Sequence, residues 1–239
     1  MKKIIIDILR IISRVIYTLI PTELNNGINR SLLLEKRIAK QLTEDTFQTF
    51  KEDFKQALLF KNYTQLREYA IKTSLANDKS QHYFYLEFGV FKGKSANYFS
   101  KFVKKLYAFD SFEGLKEDWK GSVFSKGHFN LNKKIPKLKS NVEPVVGWVE
   151  DSLDDFLKTH NPKINFVHMD LDIYNPTKFV LEKIKPYLVK GAIIVFDEFF
   201  LFNGWEYGEY KALVEVFKSE EFEYRAFSLG DGRSVIQIK

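Results

Sequence analysis

Two patterns of apolar and polar positions divide the chain. Up to about residue 79 the apolar residues recur at helical spacing. Beyond it, short apolar runs alternate with amphipathic stretches. Ile4–Ile20 is strongly apolar but carries Asp7, Arg10 and Arg14, three and four apart and so on one helical face. This predicts an amphipathic helix over residues 3–20. Residues 31–76 read as further helices. Thr43 is expected to cap one, with Glu44 and Asp45 in its favourable first turn. Phe47, Phe50, Phe54, Leu58 and Leu59 then form an apolar stripe. Asn62 and Gln65 have capping spacing, so the next helix is expected from about Tyr63, ending at Ala76-Asn77-Asp78.

From Tyr83 the pattern changes. Strands are expected over 83–88, 106–109, 142–146, 164–169 and 192–196, and helices over 94–104, 152–159, 177–188 and 207–218. Residues 222–227 and 234–238 flank Leu229-Gly230-Asp231-Gly232, a hairpin signal. Strand–helix alternation at this spacing implies an α/β fold with a doubly wound, mostly parallel, seven-stranded sheet. The expected organisation is a helical extension over 1–79 and one domain over 80–239. In such sheets ligands bind outside the carboxyl ends of the strands. Gly89, Asp110, Asp170 and Asp197 stand at four of those ends.

Composition adds exclusions. With no cysteine among 239 residues, disulfides, thiolate zinc, iron–sulfur clusters and cysteine nucleophiles are ruled out. A cytoplasmic protein is the simpler reading. The net charge of +6 is uneven. Residues 92–140 carry 12 basic and 4 acidic side chains, whereas residues 141–239 carry 11 and 17. The basic middle faces either solvent or an anionic partner, and the acidic final stretch argues against a nucleic-acid surface.

Glu87-Phe88-Gly89-Val90-Phe91-Lys92-Gly93-Lys94-Ser95 joins the first strand of this part to its helix. Gly89 permits a positive φ or a close approach of backbone to ligand. Gly93 does the same at the helix start, whose free N–H groups attract anions. The loop is neither the dinucleotide fingerprint nor a Walker loop. Asp110 follows Gly89 by about 20 residues, the offset at which an acid accepts bonds from a ribose diol. His168, Asp170 and Asp172 share a face if their strand continues that far. If the next strand is a neighbour, Asp170 and Asp197 converge. Converging carboxylates stay ionised only where a cation joins them, and all-oxygen ligation favours Mg²⁺, Mn²⁺ or Ca²⁺ over zinc.

Leu86–Ser95, Phe109-Asp110-Ser111-Phe112-Glu113-Gly114-Leu115, Gly147–Leu153, His168–Thr177 and Ile194–Phe199 occur in an order that resembles the macrocin O-methyltransferase-like family. These are class I S-adenosylmethionine (SAM) methyltransferases. Trp205 and Gly208–Ala212 resemble a later segment. The resemblance covers roughly residues 80–239. It implies that Glu87, Gly89, Gly93 and Ser95 line the methionine end of SAM and that Asp110 binds the ribose. Ser111 and Phe112 lie by the adenine, with Asp151 and Ser152 opposite. It implies that Asp170, Asp197 and Glu198 hold a divalent metal, Mg²⁺ or another, and that the product is a methylated sugar hydroxyl. Asp170 is the expected catalytic base and His128, in the basic loop, a second candidate. The resemblance breaks in two places: Glu198 stands where the antibiotic-tailoring members have Asp, and the central glycine of the broader loop is missing.

The 113–140 loop and residues 199–206 are expected to form a lid. Trp119, Phe124, Phe129 and Trp205 would either stack on a sugar ring or pack the lid. Two other classes are weighed. A nicotinamide-dependent oxidoreductase explains Gly89 and Asp110 but not the acids. A non-catalytic SAM-binding or membrane-associated assembly protein would use residues 1–20 as its contact. That segment is about 17 residues and carries three charges, short for a span of about 20 apolar residues. It packs on the domain or a second subunit, in a homo-oligomer, or lies peripherally in a membrane interface.

Overall fold

The computed structural model describes residues 2–19 and 22–239. The chain forms two compact units, Met1–Thr49 and Phe50–Lys239. The first holds α1 (Lys2–Leu19) and nearly all of α2 (Thr22–Phe50). In α1, Ile5, Ile8, Leu9, Ile12 and Ile16 are exposed. The side chains of Lys2, Lys3 and Asp7 lie outside the described residues, so the expected charged face is described only at Arg10 and Arg14. No helix among the described residues is long and apolar enough to cross a membrane. Thr43 does not cap a helix. It lies inside α2, and its hydroxyl donates to the Ala39 carbonyl at 2.7 Å. No breaker precedes it, so the helix runs through and the threonine bonds back to the preceding turn.

The expected stripe from Phe47 to Leu59 is split. α2 stops at Phe50, a 3₁₀ turn follows, and Leu58–Phe60 forms a short strand, β1. An open sheet edge overrides the helical spacing there: β1 pairs in parallel with β7 (Phe222–Ser228). α3 (Tyr63–Asn77) starts as expected, with Asn62 Oδ1 accepting the Gln65 N–H at 3.2 Å. Then follow β2 (Phe84–Phe88), α4 (Lys94–Phe99), β3 (Leu106–Asp110), β4 (Val142–Val146), α5 (Val149–His160), β5 (Ile164–Met169), α6 (Tyr174–Ile184), β6 (Leu188–Phe196), α7 (Glu209–Val216), β7 and β8 (Arg233–Ile238).

The sheet has eight strands in the order β1-β7-β8-β6-β5-β2-β3-β4. Only β8 runs antiparallel to its neighbours. The seven expected strands are present, and β1 is an addition. Helix α3 packs across β5, β6 and β7. Residues 50–79, expected in the extension, therefore belong to the same compact unit as the sheet, and the boundary falls near residue 50 rather than 80.

Strand alternation sorts side chains onto two faces. On one face, Tyr85, Phe166, Ile193 and Val195 meet Leu66, Ala70 and Ile71 of α3 and Phe99 of α4. On the other, Tyr107 and Phe109 meet Phe156 of α5 at ring separations of 5.0 Å. Both faces are covered, as a parallel sheet requires.

Candidate active site

The strand ends open into a cleft of about 330 Å³, lined by Gly89, Asp110, Ser111, Trp148, Asp170, Asp172 and Glu198. Trp119, Phe124 and Phe129 of the 111–141 loop form its aromatic wall, as expected of a lid. Trp205 does not join them. It is buried, with its ring 5.6 Å from Phe50 and 4.9 Å from Tyr210, and so packs core rather than ligand.

Gly89 is required where it stands. Its φ is +87°, and a Cβ there would lie 1.7 Å from the Asp170 carbonyl oxygen. The two strand ends can approach this closely only without a side chain. Asp110 fixes the loop that Gly89 opens. Its Oδ2 accepts the Val90 and Phe91 N–H groups at 2.8 and 2.7 Å, and its Oδ1 accepts that of Phe112 at 2.7 Å. A carboxylate offers about four acceptor positions, so one remains toward the cleft. The expected ribose ligand is therefore also the staple of the glycine loop.

Several expected site residues stand elsewhere. Gly93 has φ +72° as the N-cap of α4 and faces Leu138, not the cleft. Ser95 is half-buried on α4 and is not a cleft residue. Phe112 is buried in the core, because Asp110 turns its backbone to φ +58°. Asp151 is exposed on α5, and Ser152 Oγ donates to the Trp148 carbonyl at 3.0 Å. His128 is exposed with its ring stacked 4.2 Å from that of Phe124, outside the cleft lining.

Glu87 also faces away from the cleft. It is fully buried, and its Oε1 lies 3.1 Å from His168 Nδ1. His168 Nε2 meets the Tyr63 hydroxyl at 2.8 Å and lies 3.5 Å from Asp197 Oδ1. Arg233 grips Asp197 with both arms, Nε at 2.7 Å from Oδ1 and Nη2 at 2.8 Å from Oδ2. Its guanidinium also covers the Tyr63 ring at 4.3 Å. Burial pulls against the imidazolium, but Asp197 and Glu87 outweigh it, and His168 is pushed up to about 10. Burial likewise opposes ionisation of Asp197, yet His168 and Arg233 hold it well below the usual carboxylate range. This network lies on the α3 face of the sheet, where alternation from Ile193 and Val195 sends Asp197.

The other acids have no such relief. Burial, then the charge of Asp197, pushes Asp170 well above the carboxylate range. The same two causes raise Asp172 to about 8. Glu198 is raised by burial and by Asp197 and Asp170, and Glu209 by burial and by Asp170 and Asp197. Strand β5 ends at Met169, so the expected continuation of alternation to Asp172 does not occur. The chain turns instead, with Asp172 at φ +64°. One oxygen each of Asp170, Asp172 and Glu198 nevertheless lie within 4.8 Å of one another. Glu198 Oε2 and Glu209 Oε1 are buried without a hydrogen-bond partner. An all-oxygen donor set with unpartnered buried carboxylate atoms fits a hard divalent cation.

Sequence reasoning passed over Tyr63, Trp148, Glu209 and Arg233. Arg233 is placed only by the sheet. An antiparallel last strand beside β6, with Phe196 opposite Ser234, sets Arg233 opposite Asp197. Glu209 was legible only as part of a motif, and Tyr63 only as a first helical residue.

Residues 86–199 match a family model described as a methyltransferase domain. Among solved structures, the chain is similar to CalS11, a calicheamicin methyltransferase, at 21% identity and a TM-score of 0.59, covering 85% of this chain and 92% of that one. The apo structure of CalS11, there described as a TDP-rhamnose 3'-O-methyltransferase, gives 20% identity and a TM-score of 0.52, covering 85% and 94%. The O-methyltransferase NovP gives 16% identity and a TM-score of 0.50, covering 72% and 77%. At these identities the likeness is one of fold. A search of curated proteins found no match.

Proposed function

We propose that this chain is a SAM-dependent methyltransferase that methylates a hydroxyl of a sugar or glycoside with a divalent cation at the cleft, in the manner of macrocin O-methyltransferase-like enzymes; the methyltransferase-domain match over residues 86–199 supports this reading. One observation carries the reading. The loop held by Gly89 and Asp110 and the acids Asp170, Asp172 and Glu198 line a single cleft. A cofactor site and a proton-accepting, cation-holding site thus share one space. CalS11 is named for a sugar; here the sugar reading rests on the aromatic wall of Trp119, Phe124 and Phe129 beside the carboxylates.

SAM supplies a sulfonium-activated methyl group. A divalent cation held by the carboxylates at the ends of β5 and β6 would acidify an acceptor hydroxyl near it. The remaining work falls to the chain. Asp110 offers its free acceptor position to the ribose and keeps the glycine loop in place. The aromatic wall orients the acceptor ring and excludes water. Asp170, as the carboxylate, takes the hydroxyl proton as the oxygen–methyl bond forms and the methyl–sulfur bond breaks, and its buried setting makes it a stronger base than an exposed aspartate. The proton then passes to solvent, and S-adenosylhomocysteine leaves.

The test is calorimetric titration of the purified protein with SAM and with NADH, each with and without Mg²⁺. SAM binding that is lost in Asp110→Ala supports the reading. NADH binding without SAM binding would refute it in favour of an oxidoreductase. The exposed apolar residues of α1 favour a second property, peripheral contact with a membrane interface. Co-sedimentation with liposomes that disappears on deleting residues 1–20 is the expected result.

A further inference from the structure

The chemistry of the cleft makes no use of the basic middle of the chain. Of the 12 lysines between residues 92 and 140, Lys105, Lys116 and Lys133 pair with Glu143, Glu150 and Glu113. The other nine form no ion pair among the described residues. The remaining lid acids do not answer them. Glu117 accepts from the Asn175 side chain at 2.8 Å, and Asp118 accepts the Lys126 backbone N–H at 2.8 Å.

These lysines gather where three segments meet. Phe91 of the glycine loop touches Phe129 of the lid at a ring separation of 5.1 Å, and Phe129 touches Phe124 at 5.4 Å. The Asn97 side chain accepts the Lys139 N–H at 2.8 Å and donates to the Lys137 carbonyl at 2.9 Å, which lays residues 137–139 along α4. Phe91, Phe124 and Phe129 line the cleft. Lys92, Lys94, Lys120, Lys126, Lys137 and Lys139, all exposed, thus form a cationic rim continuous with its wall. Val123 adds an independent observation. It stands at the lid tip between Lys120 and Lys126 and is 93% exposed.

We infer that the lid rim docks on an anionic lipid bilayer, with Val123 entering the headgroup layer and the lysines facing the lipid phosphates. A basic patch and a short apolar element together hold a protein to a membrane where neither suffices alone. Here the apolar elements are Val123 and, in the other compact unit, α1 with its exposed Ile5, Ile8, Leu9, Ile12 and Ile16. An anionic glycan would satisfy the lysines but would leave these side chains in water, so the bilayer is the better match. The inference deepens the membrane contact proposed for α1 and rests on it. It adds the lipid class, negatively charged, and a second contact, beside the cleft mouth.

The test is co-sedimentation of the full chain with vesicles of phosphatidylcholine alone and of equal parts phosphatidylcholine and phosphatidylglycerol. Binding to the anionic vesicles is expected to be the tighter, and to weaken as NaCl rises from about 0.1 M to about 0.5 M. A lysine beside an anionic surface contributes about fivefold in affinity. The variant Lys94→Gln/Lys126→Gln/Lys137→Gln/Lys139→Gln is therefore expected to bind anionic vesicles about 100-fold or more weakly, with binding to neutral vesicles and to SAM unchanged. Val123→Ser is expected to weaken anionic-vesicle binding about tenfold. Parent-like binding by the lysine variant would overturn the inference and leave the α1 contact standing. Parent-like binding by Val123→Ser would overturn insertion of the lid tip. Absence of binding to either vesicle by the parent would overturn the inference and the α1 contact together. Tighter binding of soluble polygalacturonate than of the anionic vesicles would overturn it in favour of an anionic glycan.

Discussion

Gly89→Ala is the sharpest perturbation the fold offers. The added Cβ would sit 1.7 Å from the Asp170 carbonyl oxygen, and ordinary contact begins near 3.4 Å. The strand ends must then separate by 3.4 − 1.7 = 1.7 Å, or the loop must leave its φ of +87°. Either movement stretches the Gly89 N–H bond to Phe109 and the Asp170 N–H bond to Phe88, both 2.9 Å. Two such bonds contribute about 2 kcal/mol. The left-handed conformation costs alanine a further 1 kcal/mol or so. A loss of about 3 kcal/mol lowers Tm by about 6–12 °C in a domain of this size. Thermal unfolding by circular dichroism measures it, and SAM calorimetry on the same sample should show weakened binding, because Asp110 and Asp170 lose their relative placement. A Tm within about 2 °C of the parent, with SAM affinity unchanged, would refute the claim that this contact sets the cleft.

Asp110→Asn should cost stability as well as cofactor binding, about 1–3 kcal/mol, since one of its acceptor oxygens becomes a donor facing backbone N–H groups; urea unfolding checks the first effect and SAM titration the second. Mg²⁺ affinity should rise with pH toward about 8, because Asp172 is mostly protonated below that value and only its ionised form ligates; calorimetry in buffers of different ionisation enthalpy should show proton release. Without metal, the raised values of Asp172 and His168 both make the folded chain bind extra protons. That stabilisation is present at low pH and is lost as pH rises through about 8 and then about 10. Tm should therefore fall between about pH 6 and pH 9, and Mg²⁺ should reduce the fall.

Strands β2 to β6 were legible because each is a short apolar run ended by glycine or an acid. That same rule placed Gly89, Asp110, Asp170 and Asp197 at strand ends, and the first three of them line the cleft. β1 was not legible, since Leu58 and Leu59 continue a helical spacing and only the edge of β7 makes them a strand. Residues named from the motif, such as Ser95, Asp151 and Ser152, stand near the cleft in sequence but face away from it. A motif gives order along the chain, whereas orientation depends on where a helix begins: α5 starts at Val149, three residues before the expected 152. Asp197 shows the limit most clearly. Its strand-end position was read correctly, but its partner comes from the other end of a hairpin whose place in the sheet the sequence does not state.

The eighth strand bears on how this fold can be recombined. β1, a three-residue strand, shields the last three residues of the seven-residue β7, Ala226 to Ser228, on its outer side. A graft or deletion made at residue 80, where the motifs begin, would strip that shield and offer β7 as a template for another chain's edge. It would also remove Tyr63 from His168 and Arg233. The exchangeable module is thus longer than the recognisable one, and its seam lies near residue 50.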